Sequence, residues 1–73
     1  MSPFGIAGKV HNRVREIRQL AGLTQDDLAN RIGLTRQTIN AIERGRFTPS
    51  IYSVLHISKA LQVKVEQLFW IEE

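Results

Sequence analysis

Arg36, Gln37, Asn40 and Arg44 fall on one side of a short helix when successive residues are turned by about 100°. Their donors and acceptors match the edges of nucleic-acid bases: arginine can grip guanine with two hydrogen bonds, and glutamine or asparagine can grip adenine. No carboxylate interrupts that side, whereas a face that is merely solvated usually mixes Glu with Lys. Thr35, Thr38, Ile39 and Ile42 gather on the opposite side and supply a back by which the helix can be held. This is chemistry of recognition, in which hydrogen bonds are matched and no covalent bond is made or broken.

Other chemistries find less material. Cysteine is absent, which removes disulfides, thiolate metal sites and thiol nucleophiles. His11 and His56 are far apart, with no further ligand at metal-binding spacing. There is no Ser/His/Asp arrangement, no glycine-rich phosphate loop and no carboxylate pair with an obvious cleft. An enzyme is therefore not expected, nor a metal site, a cofactor or a small-molecule ligand.

The reading side needs elements to position it, and the punctuation of the chain supplies them. A first helix is expected from about Val10 to Ala21, with Val10, Val14, Ile17 and Ala21 inward and Gly22 as its stop. Leu23 follows as an apolar plug. Thr24 caps a second helix, with Asp27 in capping-box position and Leu28, Ala29 and Ile32 inward. Gly33 ends it, Thr35 caps the third helix, and Gly45 ends that one. After Phe47-Thr48-Pro49, Ser50 caps a fourth helix with Ile51, Val54, Leu55, Ser58 and Leu61 as its buried stripe and Ile57 widening it. A last helix, about Val65 to Trp70, presents Val65, Leu68 and Phe69. No strand-like alternation of useful length is found, so the expected fold is all-α, five short helices around one core.

The chain has 73 residues, which makes one small domain. A chain of this size buries only about 60% of its unfolded surface, so modest stability is expected. Residues 1–8 lack periodicity and are read as a flexible arm, with the domain spanning 9–73. Only Lys9 is basic there, so a minor-groove role for the arm is not expected. The formal charge is +3, unevenly spread: Lys9 to Arg46 carries eight basic and four acidic residues, and Phe47 to Glu73 two basic and three acidic. The positive half is the half with the second and third helices, and a basic surface attracts phosphate backbones. No apolar run reaches the roughly 18 residues of a membrane span, and the start lacks the features of a secretory signal. No membrane association is expected, and a cytoplasmic location is the default.

The stretch from Thr24 to Gly45 resembles the Cro and phage-repressor type of helix-turn-helix, also called xenobiotic-response-element-like. The resemblance runs through LTQDDLA, GLTRQTI, IERGR and Pro49-Ser50 to Leu68-Phe69, covering about Val10 to Phe69. It implies a lambda-repressor-like DNA-binding domain whose second and third helices form the motif. It also implies a double-stranded DNA partner and a transcriptional regulator with a recognition helix of about residues 35–44 in the major groove. Carried over position by position, Thr35, Arg36, Gln37 and Asn40 are expected to meet bases. Gln25, Arg44, Arg46 and Ser50 are expected to meet phosphates. Ala41 stands where some relatives have a long polar reader and offers at most contact with a thymine methyl. Arg18 and Glu43 stand where the family pairs an arginine of the first helix with a glutamate of the recognition helix, and are assigned to structure.

A lone recognition helix reads few base pairs, whereas a two-fold dimer reads half-sites about 34 Å apart. A homodimer is therefore expected, with the fourth and fifth helices as the first choice of interface. Trp70 and Ile71 exceed what so small a core needs and are candidates for it. A repressor is the expected role, since the chain has no room for a ligand or activation domain. The alternative is an antitoxin-like or other protein-interaction module in which DNA binding is secondary or lost.

Overall fold

The computed structural model describes residues 9–72. Its elements, in chain order, are β1 (Lys9–Asn12), α1 (Val14–Leu20), α2 (Gln25–Ile32), α3 (Arg36–Glu43), α4 (Ile51–Leu61), α5 (Val65–Leu68) and β2 (Phe69–Glu72). The expected arm at 1–8 lies outside the described residues.

The helix boundaries follow from local chemistry. Thr24 accepts a hydrogen bond from the backbone N–H of Asp27, whose carboxylate in turn accepts from the Thr24 N–H at 2.8 Å. That reciprocal box closes the start of α2. Gly33 ends α2 at φ +73°, a left-handed conformation that costs glycine little, and lets the chain turn sharply into α3. Thr35 then caps α3 through the Thr38 N–H, and Ser50 caps α4 through the Ser53 N–H. α4 differs at its end: Gln62 takes the left-handed position, at φ +58°.

Val14, Leu28, Ala29, Ile32, Ile39, Ile42, Ile57, Leu61 and Leu68 form the core, with Ile17, Leu23, Leu34, Ala60, Val63 and Phe69 packed against it. Every helix contributes at least one of these residues, so the core is a single cluster that fixes α3 from behind. Ile39 and Ile42 are the inward residues of α3, buried as the periodicity predicts. At about 25 cal/mol per Å² of apolar area, such side chains each contribute roughly 1.5–3 kcal/mol.

The five helices are accompanied by a two-stranded antiparallel sheet that the helical periodicity does not reveal. Lys9 faces Glu72, Val10 faces Ile71, His11 faces Trp70 and Asn12 faces Phe69. Val10 therefore belongs to a strand and not to the first helix, which begins at Val14; Ala21 is exposed. The last helix is correspondingly short and gives way to strand at Phe69. The physical reason is pairing across the whole chain: each strand finds its backbone partner in the other, a contact that local spacing cannot announce. Asn12 locks the junction. Its Oδ1 accepts from the Val14 N–H, and its Nδ2 donates to the Ile42 carbonyl at 3.0 Å, tying β1 to the end of α3.

α4 is rotated from its expected setting. Ser53, Ile57 and Leu61 face the core, while Ile51 and Leu55 are 71% and 54% exposed. The small Ser53 can enter because its hydroxyl is satisfied by that of Ser50. Tyr52, although exposed, donates its hydroxyl to the Ile32 carbonyl at 3.3 Å and so covers the C-terminal end of α2.

Candidate nucleic-acid interface

α2, the Gly33 turn and α3 form the two-helix unit, with α1 and α4 behind and beside it. Arg36 and Gln37 are exposed at the start of α3, while Asn40 and Ala41 are half-buried one turn further on. Thr35 is exposed, but its hydroxyl is engaged by the Thr38 N–H and lies 2.9 Å from the Thr38 hydroxyl. Its methyl group is the part without a local task.

Behind this surface lies a buried polar cluster. Arg18 Nε donates to Glu43 Oε2 at 2.6 Å, Nη2 donates to Oε1 at 3.2 Å, and Nη1 donates to the Leu23 carbonyl at 2.8 Å. The Arg18 and Glu43 side chains are only 8% and 3% exposed. Gln25 Nε2 donates to Glu43 Oε1 at 3.1 Å. One carboxylate on α3 thus collects side chains from α1 and α2, which fixes the angle between the helices of the unit. Gln25, expected at a phosphate, holds this inward bond while standing at the first position of α2; it remains half-buried. The sequence alone does not reveal the Gln25–Glu43 contact, because the two residues are brought together only by the packing of α2 on α3.

Arg44 and Arg46 are exposed immediately after α3, and Ser50 is exposed at the cap of α4. The two helix starts differ in charge. The first turn of α2 carries Asp26 and Asp27, which complement its positive end, whereas the first turn of α4 has no acidic residue. Asp27 has its carboxyl held below the usual 3.8 by the backbone and side-chain hydrogen bonds of Thr24. Asp26 lies 3.8 Å from Arg36 and is an acidic neighbour of the exposed start of α3 that helical spacing within α3 could not disclose.

Trp70 and Ile71, in β2, are 37% and 48% exposed. Trp70 is flanked by His11, stacked at 6.0 Å between ring centroids, and by the Arg13 guanidinium 4.8 Å from its ring centroid. It borders a shallow open groove that also includes Ile17, Leu20 and Glu66. Among the described residues, no three His, Asp or Glu side chains form a group suited to a metal ion, and no helix is long and apolar enough to cross a membrane.

Residues 14–68 match the family described as Helix-turn-helix. The chain is 45% identical over 62 residues to YgzD, an HTH-type transcriptional regulator of Bacillus subtilis, covering 85% of this chain and 94% of that protein. It is 46% identical over 61 residues to an HTH-type transcriptional regulator of Methanothermobacter thermautotrophicus, covering 82% and 88% respectively. Among solved structures it superposes on the restriction-modification controller protein C.AhdI of Aeromonas hydrophila with a TM-score of 0.70 and 33% identity, over 74% of this chain and 82% of that one. The N-terminal DNA-binding domain of SinR from Bacillus subtilis gives a TM-score of 0.69 at 29% identity, over 74% and 80%. With the lambda-repressor-like arrangement of its helices and a matched segment spanning most of its length, this chain belongs to the Cro/C1-type helix-turn-helix family of DNA-binding transcriptional regulators.

Proposed function

We propose that this protein is a repressor that binds double-stranded DNA as a homodimer, with α3 in the major groove. The observation that carries the reading is the division of α3: Ile39 and Ile42 are buried, while Arg36 and Gln37 are exposed at its leading end. In this reading Arg36, Gln37 and Asn40 contact base edges, and the Thr35 methyl contacts an apolar base feature. Arg44, Arg46 and the acid-free start of α4 at Ser50 hold the backbone on one side of the helix, and Gln25 holds it on the other. Gln25 can do so with its backbone N–H at the start of α2, or by giving up its bond to Glu43.

The dimer is supported by apolar surface that the monomer leaves uncovered: Trp70 and Ile71 on β2, Ile51 and Leu55 on α4, and Phe47 in the connector before α4. It is also supported by the short reach of a single recognition helix. Repression follows as occlusion, because a small dimer seated across a promoter excludes other proteins from the same DNA. The exposed Phe47, Ile51 and Leu55 also favour the second reading, in which an unrelated protein covers α4, as in an antitoxin.

Selection of bound sites from random DNA tests the proposal, using the wild type, Arg36→Ala and Gln37→Ala. The expected result is a two-fold symmetric site, with each variant relaxing preference at its own base position. Wild-type protein that enriches no sequence would sink the reader role and leave the protein-interaction reading standing. A reporter placed behind the selected site should fall in output when the protein is present; a rise would replace repression with activation.

A further inference from the structure

Asp26 complements the positive start of α2 and also faces an arginine of the next helix. It stands in the first turn of α2, and its Oδ1 lies 3.8 Å from Nε of Arg36 in the first turn of α3. This is an ion pair and is too long for a hydrogen bond. The side chains are 60% exposed for Arg36 and 69% for Asp26, so the pair contributes little to folding stability. Its consequence lies in where it holds the guanidinium.

An unrestrained arginine at a DNA surface has two classes of acceptor within reach: base edges, which carry sequence information, and phosphates, which do not. A carboxylate beside Nε draws the guanidinium toward α2 and leaves the terminal Nη groups, which have no other polar partner among the described residues, open to guanine O6 and N7. The same negative charge repels phosphates. We infer that Asp26 is a positioning residue that sets the base specificity of Arg36 and lowers binding to DNA of any other sequence. The inference rests on the proposed reading of α3. It makes Asp26 a device of discrimination, which weakens the wrong complex and aligns the right one.

The two effects have opposite signs, and that separates them from a structural role. Asp26→Asn in the full chain is expected to tighten binding to random-sequence DNA. It is also expected to reduce preference by about threefold at the one base position that Arg36→Ala relaxes. Preference at other positions should stay as in the wild type. Glu16→Gln removes an equal charge from the groove bordered by α1, α5 and Trp70, and should leave base preference unchanged. Thermal unfolding of each variant shows that the fold is kept. If Asp26→Asn relaxes all positions equally, or leaves untouched the position that Arg36→Ala relaxes, the inference is overturned while the reading of α3 stands. If Arg36→Ala itself changes no preference, the reading of α3 fails and the role of Asp26 fails with it.

Discussion

The guanidinium of Arg18 and the carboxylate of Glu43 form a two-bonded pair, Nε to Oε2 at 2.6 Å and Nη2 to Oε1 at 3.2 Å, across the interface between α1 and α3. Because the side chains are almost wholly buried, the pair is better understood as a geometric constraint than as a source of net stability. Apolar residues of similar volume could stabilise the site as well. What the pair adds is direction: it fixes the roll of α3 about its axis, and hence which residues face outward.

Breaking the pair from one side should be costly. Arg18→Met strands the Glu43 carboxylate beside Gln25 alone and is expected to lower unfolding free energy by about 3 kcal/mol. Urea denaturation measures this directly. An unchanged midpoint together with lost DNA binding would move Arg18 from the scaffold to the DNA interface.

The box at the start of α2 makes stability depend on acid. Asp27 has a carboxyl pKa lowered from 3.8 in the folded state by the hydrogen bonds of Thr24. A group whose folded pKa lies below its unfolded value stabilises fully above the unfolded value. That contribution declines as pH falls from near 3.8 through the folded pKa. Asp27→Asn should therefore be less stable than the wild type at neutral pH, and the gap should narrow in acid. A gap that stays constant from neutral pH to below 3 would show that the carboxylate is not the source.

α4 ends on a residue poorly suited to its backbone. Gln62 holds φ +58°, a conformation that disfavours side chains with a Cβ, and its own side chain is exposed. Gln62→Gly should raise stability by about 0.5–1 kcal/mol, since the strain removed exceeds the added freedom of the unfolded chain. A melting temperature raised by a few degrees is the expected sign, and a fall would mean that the Gln62 side chain contributes more than its exposure suggests.

Self-association can be tested at the apolar surface. Ile71→Lys and Leu55→Lys each place a charge on an exposed residue and should leave the monomer's core intact. In the homodimer reading, a lysine within the contact weakens dimerisation at least about tenfold. Equilibrium sedimentation of the two variants shows whether β2 or α4 forms the contact. A wild type that stays monomeric well above micromolar concentration would refute the dimer.

The proposed phosphate contacts can be tested separately. Arg46→Ala should weaken binding to all DNA sequences alike and reduce the salt slope by about 1. The wild type itself should lose roughly 10³-fold in affinity between about 50 and 200 mM salt if six or more phosphates are neutralised. A variant that loses one sequence and keeps the others would make Arg46 a base reader.

Much of the helix-turn-helix unit was legible in the sequence because it is specified locally. Thr24 with Asp27, Gly33, Thr35 and Gly45 act on backbone groups within a few residues of themselves, so their spacing is enough to bound α2 and α3. The division of α3 into a buried apolar side and an outward polar side is equally local, since it follows from the helical repeat. Other contacts join residues with no fixed relation along the chain, and these depend on how the elements pack. The pairing of Lys9–Asn12 with Phe69–Glu72 depends on the two ends of the domain meeting. The rotation of α4 depends on the helix's angle to the core, which admitted the small, hydrogen-bonded Ser53 and left Ile51 and Leu55 outside. The Gln25–Glu43 bond and the Asp26–Arg36 pair arise where one helix crosses another. Helical periodicity specifies which residues share a side of one helix, and only the crossing angle between helices specifies which sides meet.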